Sequence, residues 1–209
     1  MVLAAGQGHR FGGDKLLAQY RGRPLLSHVL VVVEGARNQG LLAQGHVVVA
    51  AGDERTASLV RSTKLDLLIN DAPDLGLSRS LRIGLAMLES ETEAGAAVIL
   101  LGDQPLVRLE VVEQLVTAWQ QGRGTIVRPR YEAQADAPGH PVILSRTMWA
   151  QARQLEGDLG FQELFNAAFA GVVTLDVSGH NPDVDTREDL EVLEKTTDPR
   201  PAVPWNARP

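Results

Sequence analysis

The stretch LAAGQGHRFGGDK, Leu3 to Lys15, starts apolar, turns glycine-rich at Gly6 and ends on two cations, Arg10 and Lys15. A short strand, Met1–Ala4, runs into a loop in which glycine lets backbone N–H groups approach phosphate oxygens while the cations neutralise them. The loop is no Walker A motif, because G-x-x-x-x-G-K-[ST] is absent. Nor is it the dinucleotide fingerprint, since Gly6, Gly8 and Gly12 are spaced one residue too far and a cation lies inside. The plainer alternative is a glycine-rich turn between a strand and a helix.

Outward from this loop, apolar runs alternate with amphipathic segments. Gly45–Ala51, Leu65–Ile69, Ala96–Leu101, Thr125–Val127 and Val172–Val177 read as strands, several continuously apolar as expected of strands covered on both faces. Pro24–Glu34, Glu54–Ser62, Ser78–Leu88, Leu109–Gln121, Thr147–Leu155 and Phe161–Ala170 read as helices. In the fourth, Val111, Val112, Leu115, Val116 and Trp119 form one helical stripe. The alternation predicts a Rossmann-like, three-layer α/β/α fold with a mostly parallel sheet, whose ligands gather at the carboxyl ends of strands. Arg128–Pro141, without apolar periodicity, is expected to be a long loop. A single domain is expected over residues 1–195. Residues 196–209 hold four prolines and are expected to form a disordered tail.

The 209 residues suit one domain with a proper core, and they carry 20 Lys+Arg against 26 Asp+Glu. The net charge of −6 and the lack of a basic block argue against nucleic acid as a partner. No run of about 20 apolar residues offers a membrane span, and the first residues do not resemble a signal peptide. The absence of cysteine excludes a thiolate nucleophile and a disulfide scaffold. It fits a reducing compartment, and a cytoplasmic location is expected. Glycine, 20 residues or about 10% of the chain, exceeds the usual ~7%.

Two acidic groups follow other strands. Gly102-Asp103-Gln104-Pro105 succeeds the most apolar one, where a carboxylate is placed to hold Mg²⁺; the alternative is a helix cap. Asp183-Val184-Asp185-Thr186 follows the last strand, and Thr186 with Asp189 resembles a capping box with Asp in place of Glu. Two acidic strand ends and a basic glycine loop together supply what a Mg–nucleotide needs. His140 in its Gly-His-Pro turn reads more readily as a hydrogen-bonded turn residue than as an acid or base.

These residues also carry a family resemblance. LAAGQGHRFGGDK resembles the LAAG-x-[SG]-x-R-[FM]-G-x-x-K signature of the MobA/MocA-like nucleotidyltransferases, which attach CMP or GMP to the molybdopterin cofactor. Asn70 to Arg82, LGDQPLV at 101–107, GHP at 139–141, GDLG at 157–160 and DVDTREDL at 183–190 resemble further motifs in the same order. The resemblance implies that Leu3, Ala4, Ala5, Gly6, Gly8, Asn70, Ser80 and Gly102 bind the nucleotide. It implies that Arg10 and Lys15 bind the triphosphate and that Asp103 acts with them. Asp103 and Asp185 would hold Mg²⁺, and Arg79, His140, Gly157 and Asp158 would border the acceptor. Ala5, where the guanylyltransferase branch usually has Gly, together with Gln104, favours CTP over GTP. The implied partners are CTP, a molybdopterin-type acceptor and a receiving molybdoenzyme. Two rivals stay open: a nucleotidyltransferase acting on a sugar or polyol phosphate, and a non-enzymatic nucleotide-binding regulator.

Overall fold

The computed structural model describes residues 1–134, 139–157, 164–166 and 171–195. Its strands are β1 (Val2–Ala4), β2 (Gln19–Tyr20), β3 (Arg23–Pro24), β4 (His46–Ala50), β5 (Asp66–Asn70), β6 (Ala96–Leu101), β7 (Ile126–Tyr131), β8 (Val142–Ser145) and β9 (Val172–Val177). The helices are α1 (Leu25–Asn38), α2 (Glu54–Arg61), α3 (Leu77–Glu91), α4 (Leu109–Gln120), α5 (Trp149–Ala152) and α6 (Arg187–Lys195). Seven strands form one sheet in the order β5-β4-β1-β6-β8-β7-β9, and β2 with β3 makes a separate small hairpin. In the large sheet only β8 runs antiparallel to its neighbours.

Alternation along the central strand builds the three layers. Successive side chains of a strand point to opposite faces. Val2 and Ala4 join Val47 and Val49 in a core under α1 and α4, with Leu26, Leu30, Val112 and Leu115. Met1 and Leu3 join Val48 and Ile99 in a second core with Leu81, Leu85 and Trp149 from α3 and α5. The long helices α1, α3 and α4 turn an apolar stripe inward, as Leu26, Val29, Leu30 and Val33 do in α1. The fold is the expected α/β Rossmann-like architecture.

Two expectations need correction. Arg128–Tyr131 is not loop: it continues β7, which pairs in parallel with β9 from Ile126 to Tyr131. Pro129 is tolerated because the β8 ladder engages only Ile126 and Val127, so no hydrogen bond to β8 is asked of it. The antiparallel strand β8, four residues long, has no counterpart in the sequence-based assignment. The predicted Phe161–Ala170 helix lies largely outside the described residues, as do Asp158 and residues 196–209. No helix among the described residues is long and apolar enough to cross a membrane.

A third cluster of Phe11, Tyr20, Leu25, Leu106, Val184 and Leu193 sits beside the carboxyl edge of the sheet. It brings the glycine loop, the segment after β6 and the segment leading into α6 against one another. That packing assembles the site.

Candidate active site

A cleft of about 680 Å³ opens at the carboxyl edge of the sheet. Its walls come from the loop after β1, the segment joining β5 to α3, the end of β6 and the segment before α6. Leu3, Ala5, Gly6, Gly8, Arg10, Lys15, Ser80, Asp103 and Asp185 all line it. The sheet order β5-β4-β1-β6 spreads these groups along the edge. Three strand intervals of about 4.8 Å separate β5 from β6, or roughly 14 Å in all.

Lys15 sits at the β6 end with only 9% of its side chain exposed. Its Nζ donates to Asp103 Oδ2 at 2.6 Å and to Asp185 Oδ1 at 3.1 Å. Arg10 reaches the other oxygen of the same carboxylate, Asp185 Oδ2, at 2.9 Å. Burial works to lower the Lys15 pKa, but the charges and hydrogen bonds of Asp103 and Asp185 outweigh it and the pKa is raised. The ammonium therefore keeps its proton. The Arg10 guanidinium, by contrast, is largely exposed, and screening makes such a contact weak by itself.

The backbone sets these side chains. Gly8 adopts a φ of +61°, and a Cβ there would lie 3.1 Å from the Lys15 Cβ. Its carbonyl accepts the amides of Phe11, Gly12 and Gly13, so those three amides fold the loop instead of facing the cleft. Asp103 caps no helix, because α4 begins only after Arg108. The cap before α6 is built by Thr186 and Asp189: Asp189 N donates to Thr186 Oγ1, and Asp189 Oδ2 accepts from Thr186 N and Asp185 N. The Asp185 carboxylate is thereby left to the cations.

Other expected residues do not line the cleft. Ala4 is buried, and a Cβ on Gly102 would come within 3.2 Å of the Ala4 Cβ, so the two backbones pack closely under the floor of the cleft. Asn70 is fully buried; its Nδ2 donates to Ser80 Oγ at 3.0 Å and its Oδ1 accepts from Ala72 N. It holds Ser80 in place instead of lining the cleft. Arg79 pairs with Asp71 at 2.7 Å. The Gly157 carbonyl accepts the Ser78 amide at 3.1 Å. His140 is buried outside the cleft wall, its pKa pushed down to about 4 by burial and then by the Arg128 charge.

Several residues escaped the sequence-based assignment. Asp183 also faces the cleft. Its pKa is pushed up to about 6, by burial first and then by the Asp103 charge. Gln104 Nε2 donates to Asp183 Oδ1 at 2.9 Å, and buried Asn181 Nδ2 donates to Gln104 Oε1 at 3.0 Å. The Asp-x-Asp spacing was the available signal for Asp183. Gln7, His9 and Asp74 also line the cleft, with no signal beyond proximity to the glycine loop or to Asn70.

A divalent cation suits the donors present. Asp103 and Asp185 bring hard carboxylate oxygens from two loops to one cleft, and a positive charge, the Lys15 ammonium, already bridges them. Among the described residues no group of three or more His, Cys, Asp or Glu is arranged to hold a metal. Two carboxylates completed by phosphate oxygens is the usual provision for Mg²⁺.

A mostly parallel α/β sheet with a cationic glycine loop and paired carboxylates at its carboxyl edge defines a protein built to handle phosphate esters. Residues 1–172 match the MobA-like NTP transferase domain, and the chain belongs to that family of nucleotidyltransferases. Rv0371c from Mycobacterium tuberculosis H37Rv superposes with a TM-score of 0.80 at 29% identity, covering 94% of this chain and 97% of that one. The same protein in complex with manganese gives 0.76 at 28%, with equal coverage. Molybdopterin-guanine dinucleotide biosynthesis protein A from Archaeoglobus fulgidus shares the fold alone, with a TM-score of 0.60 at 17% identity over 93% and 95% of the two chains. The bifunctional protein GlmU of Burkholderia multivorans is 33% identical over 125 residues, or 59% of this chain and 26% of that protein. The matched stretch is thus about a quarter of that relative's length.

Proposed function

We propose that the chain transfers CMP from CTP to the terminal phosphate of a molybdopterin-type acceptor, releasing pyrophosphate, with Mg²⁺ as the metal. The observation that carries this reading is Lys15 Nζ held between Asp103 and Asp185 on the wall of an open cleft, with Arg10 on the same carboxylate.

An acceptor phosphate oxygen forms the new bond to the α-phosphorus of CTP, and the bond to the pyrophosphate oxygen breaks. The nucleophile is already an anion, so no side chain need remove its proton. What the protein supplies is position and charge. Lys15 and Arg10 balance the negative charge that builds on the leaving pyrophosphate. Lys15 suits that role because its proton is retained at any physiological pH. Asp103 and Asp185 would hold the Mg²⁺, which supplies Lewis-acid neutralisation of phosphate charge when bound. The manganese complex of Rv0371c supports a divalent metal in this family.

CTP is favoured because Ala5 lines the cleft, where a methyl group beside the base would disfavour a larger purine. Arg79, His140, Gly157 and Asp158 are assigned to the acceptor side on the motif resemblance. His140 there is a neutral, buried group that shapes the turn. A reducing cellular compartment and delivery of the product to a molybdoenzyme complete the reading.

The test is pyrophosphate release with each of the four NTPs, Mg²⁺ and molybdopterin. Release that is greatest with CTP is expected. A preference for GTP overturns the base assignment, and no release with any NTP overturns the acceptor.

A further inference from the structure

The cleft has two chemically different ends. At the β6 end Lys15, Arg10 and the aspartates gather charge, so a triphosphate with its metal belongs there. The base must then lie toward the β5–α3 end, roughly 14 Å along the sheet edge. That wall is made of Pro73, Asp74, Gly76, Leu77 and Ser80. Among these described lining residues Asp74 is the one that carries a charge.

Asp74 is also held in place. Gln7, from the glycine loop, donates through Nε2 to Asp74 Oδ1 at 2.5 Å. The Gln7 amide cannot usefully turn over, because a carboxylate only accepts and turning would set Oε1 against it. Its Oε1 meets the His9 ring at Nε2. The bridge spans 67 residues of sequence and crosses from one wall of the cleft to the other. One carboxylate oxygen is thus engaged, and the second is available to a ligand. On the same wall the Ser80 hydroxyl accepts from Asn70 Nδ2 and keeps its own proton to donate. The base end therefore presents an anionic acceptor and a neutral donor.

We infer that Asp74 is a base-reading residue that selects a nucleobase carrying an exocyclic amino group, discriminating CTP from UTP. A carboxylate accepts readily from the cytosine 4-amino group. Uracil offers a carbonyl oxygen at the same position, and two acceptors facing each other with no proton between them repel. A site built to hydrogen-bond a substrate N–H rejects an analogue that lacks it far better than an apolar pocket discriminates by size. This inference rests on the nucleotidyltransferase reading and adds the residue by which the base is chosen.

The experiment compares CTP and UTP binding, by calorimetry with Mg²⁺ and without acceptor, in the full chain and its Asp74→Asn variant. Asp74 is exposed, so the substitution leaves the core untouched. Asparagine can donate to the uracil 4-oxygen as well as accept, so the CTP-to-UTP affinity ratio should fall at least ~10-fold, within the range expected of one good base contact. Gln7→Ala, which frees the carboxylate to swing, should lower the ratio by a smaller factor. An unchanged ratio in Asp74→Asn overturns the inference and leaves the nucleotidyltransferase reading standing. A native chain that binds no NTP overturns both.

Discussion

The Val184 amide donates to the Asp103 carbonyl oxygen at 3.1 Å, joining the acidic end of β6 to the acidic segment before α6 through the main chain. This one bond explains how two carboxylates 82 positions apart in the chain, Asp103 and Asp185, come to share a single ammonium. Their spacing is set by backbone, not by flexible side chains. A cation or phosphate arriving between them meets a preformed arrangement.

Asp103→Asn keeps that main-chain bond and removes the charge. Turnover is expected to fall below detection, while circular dichroism and the melting temperature stay close to native. Near-native activity in a folded variant would remove Asp103 from the catalytic machinery.

Lys15→Ala leaves Asp103 and Asp185 facing each other without their shared cation. Loss of one preorganised charge contact at a developing anion typically costs about 10²–10³ in rate. A drop of that order in kcat/KM for CTP is expected. Steady-state kinetics at saturating acceptor reads it directly, and an unchanged value would place the triphosphate elsewhere.

Gly139→Ala tests the packing behind the proposed acceptor side. A Cβ at this position would lie 2.1 Å from the Pro129 carbonyl oxygen, a backbone atom of β7 that can yield only if the strand moves. Overpacking of this kind costs about 1–3 kcal/mol, and rigid backbone puts this site at the upper end. Urea unfolding should show the midpoint shifted down with little change in slope.

His140 imposes a pH dependence on stability. Its pKa is about 4 in the folded chain, through burial and then the Arg128 charge, against about 6.5 when unfolded. Between those values the unfolded chain binds a proton that the folded chain does not, so stability rises with pH across the window. As pH falls from 6.5 to 4 this contribution is lost, up to about 3 kcal/mol. His140→Gln should flatten the melting-temperature profile over that range; identical slopes for the two proteins would contradict the assignment.

Much of the architecture is legible in local pattern. The continuous apolar runs at 47–50 and 96–101 have no polar face to offer water, so they announce strands covered on both sides, and both became interior strands. The stripe Val111, Val112, Leu115 and Val116 became the buried face of α4. By contrast, β8 is four residues beside a turn, too short to show a period, and β7 hides behind Arg128, Pro129 and Arg130. Their strand character comes from neighbours: β9 supplies the ladder for residues 128–131, and β6 and β7 supply both edges for β8.

The site divides in the same way. Residue type by itself determined the chemistry: a glycine loop with Arg10 and Lys15, and aspartates after strands, are groups suited to phosphate and a divalent cation wherever the chain puts them. Only the tertiary structure decided the pairings. Lys15 meets partners 88 and 170 residues away, Asn70 turns inward to hold Ser80 instead of facing the cleft, and Gln7 crosses to Asp74. The reason is physical. Periodicity reports how each segment is buried, and that is a local property. Which side chains face one another depends on strand order and on the loops that close over long separations, and no single segment carries that information.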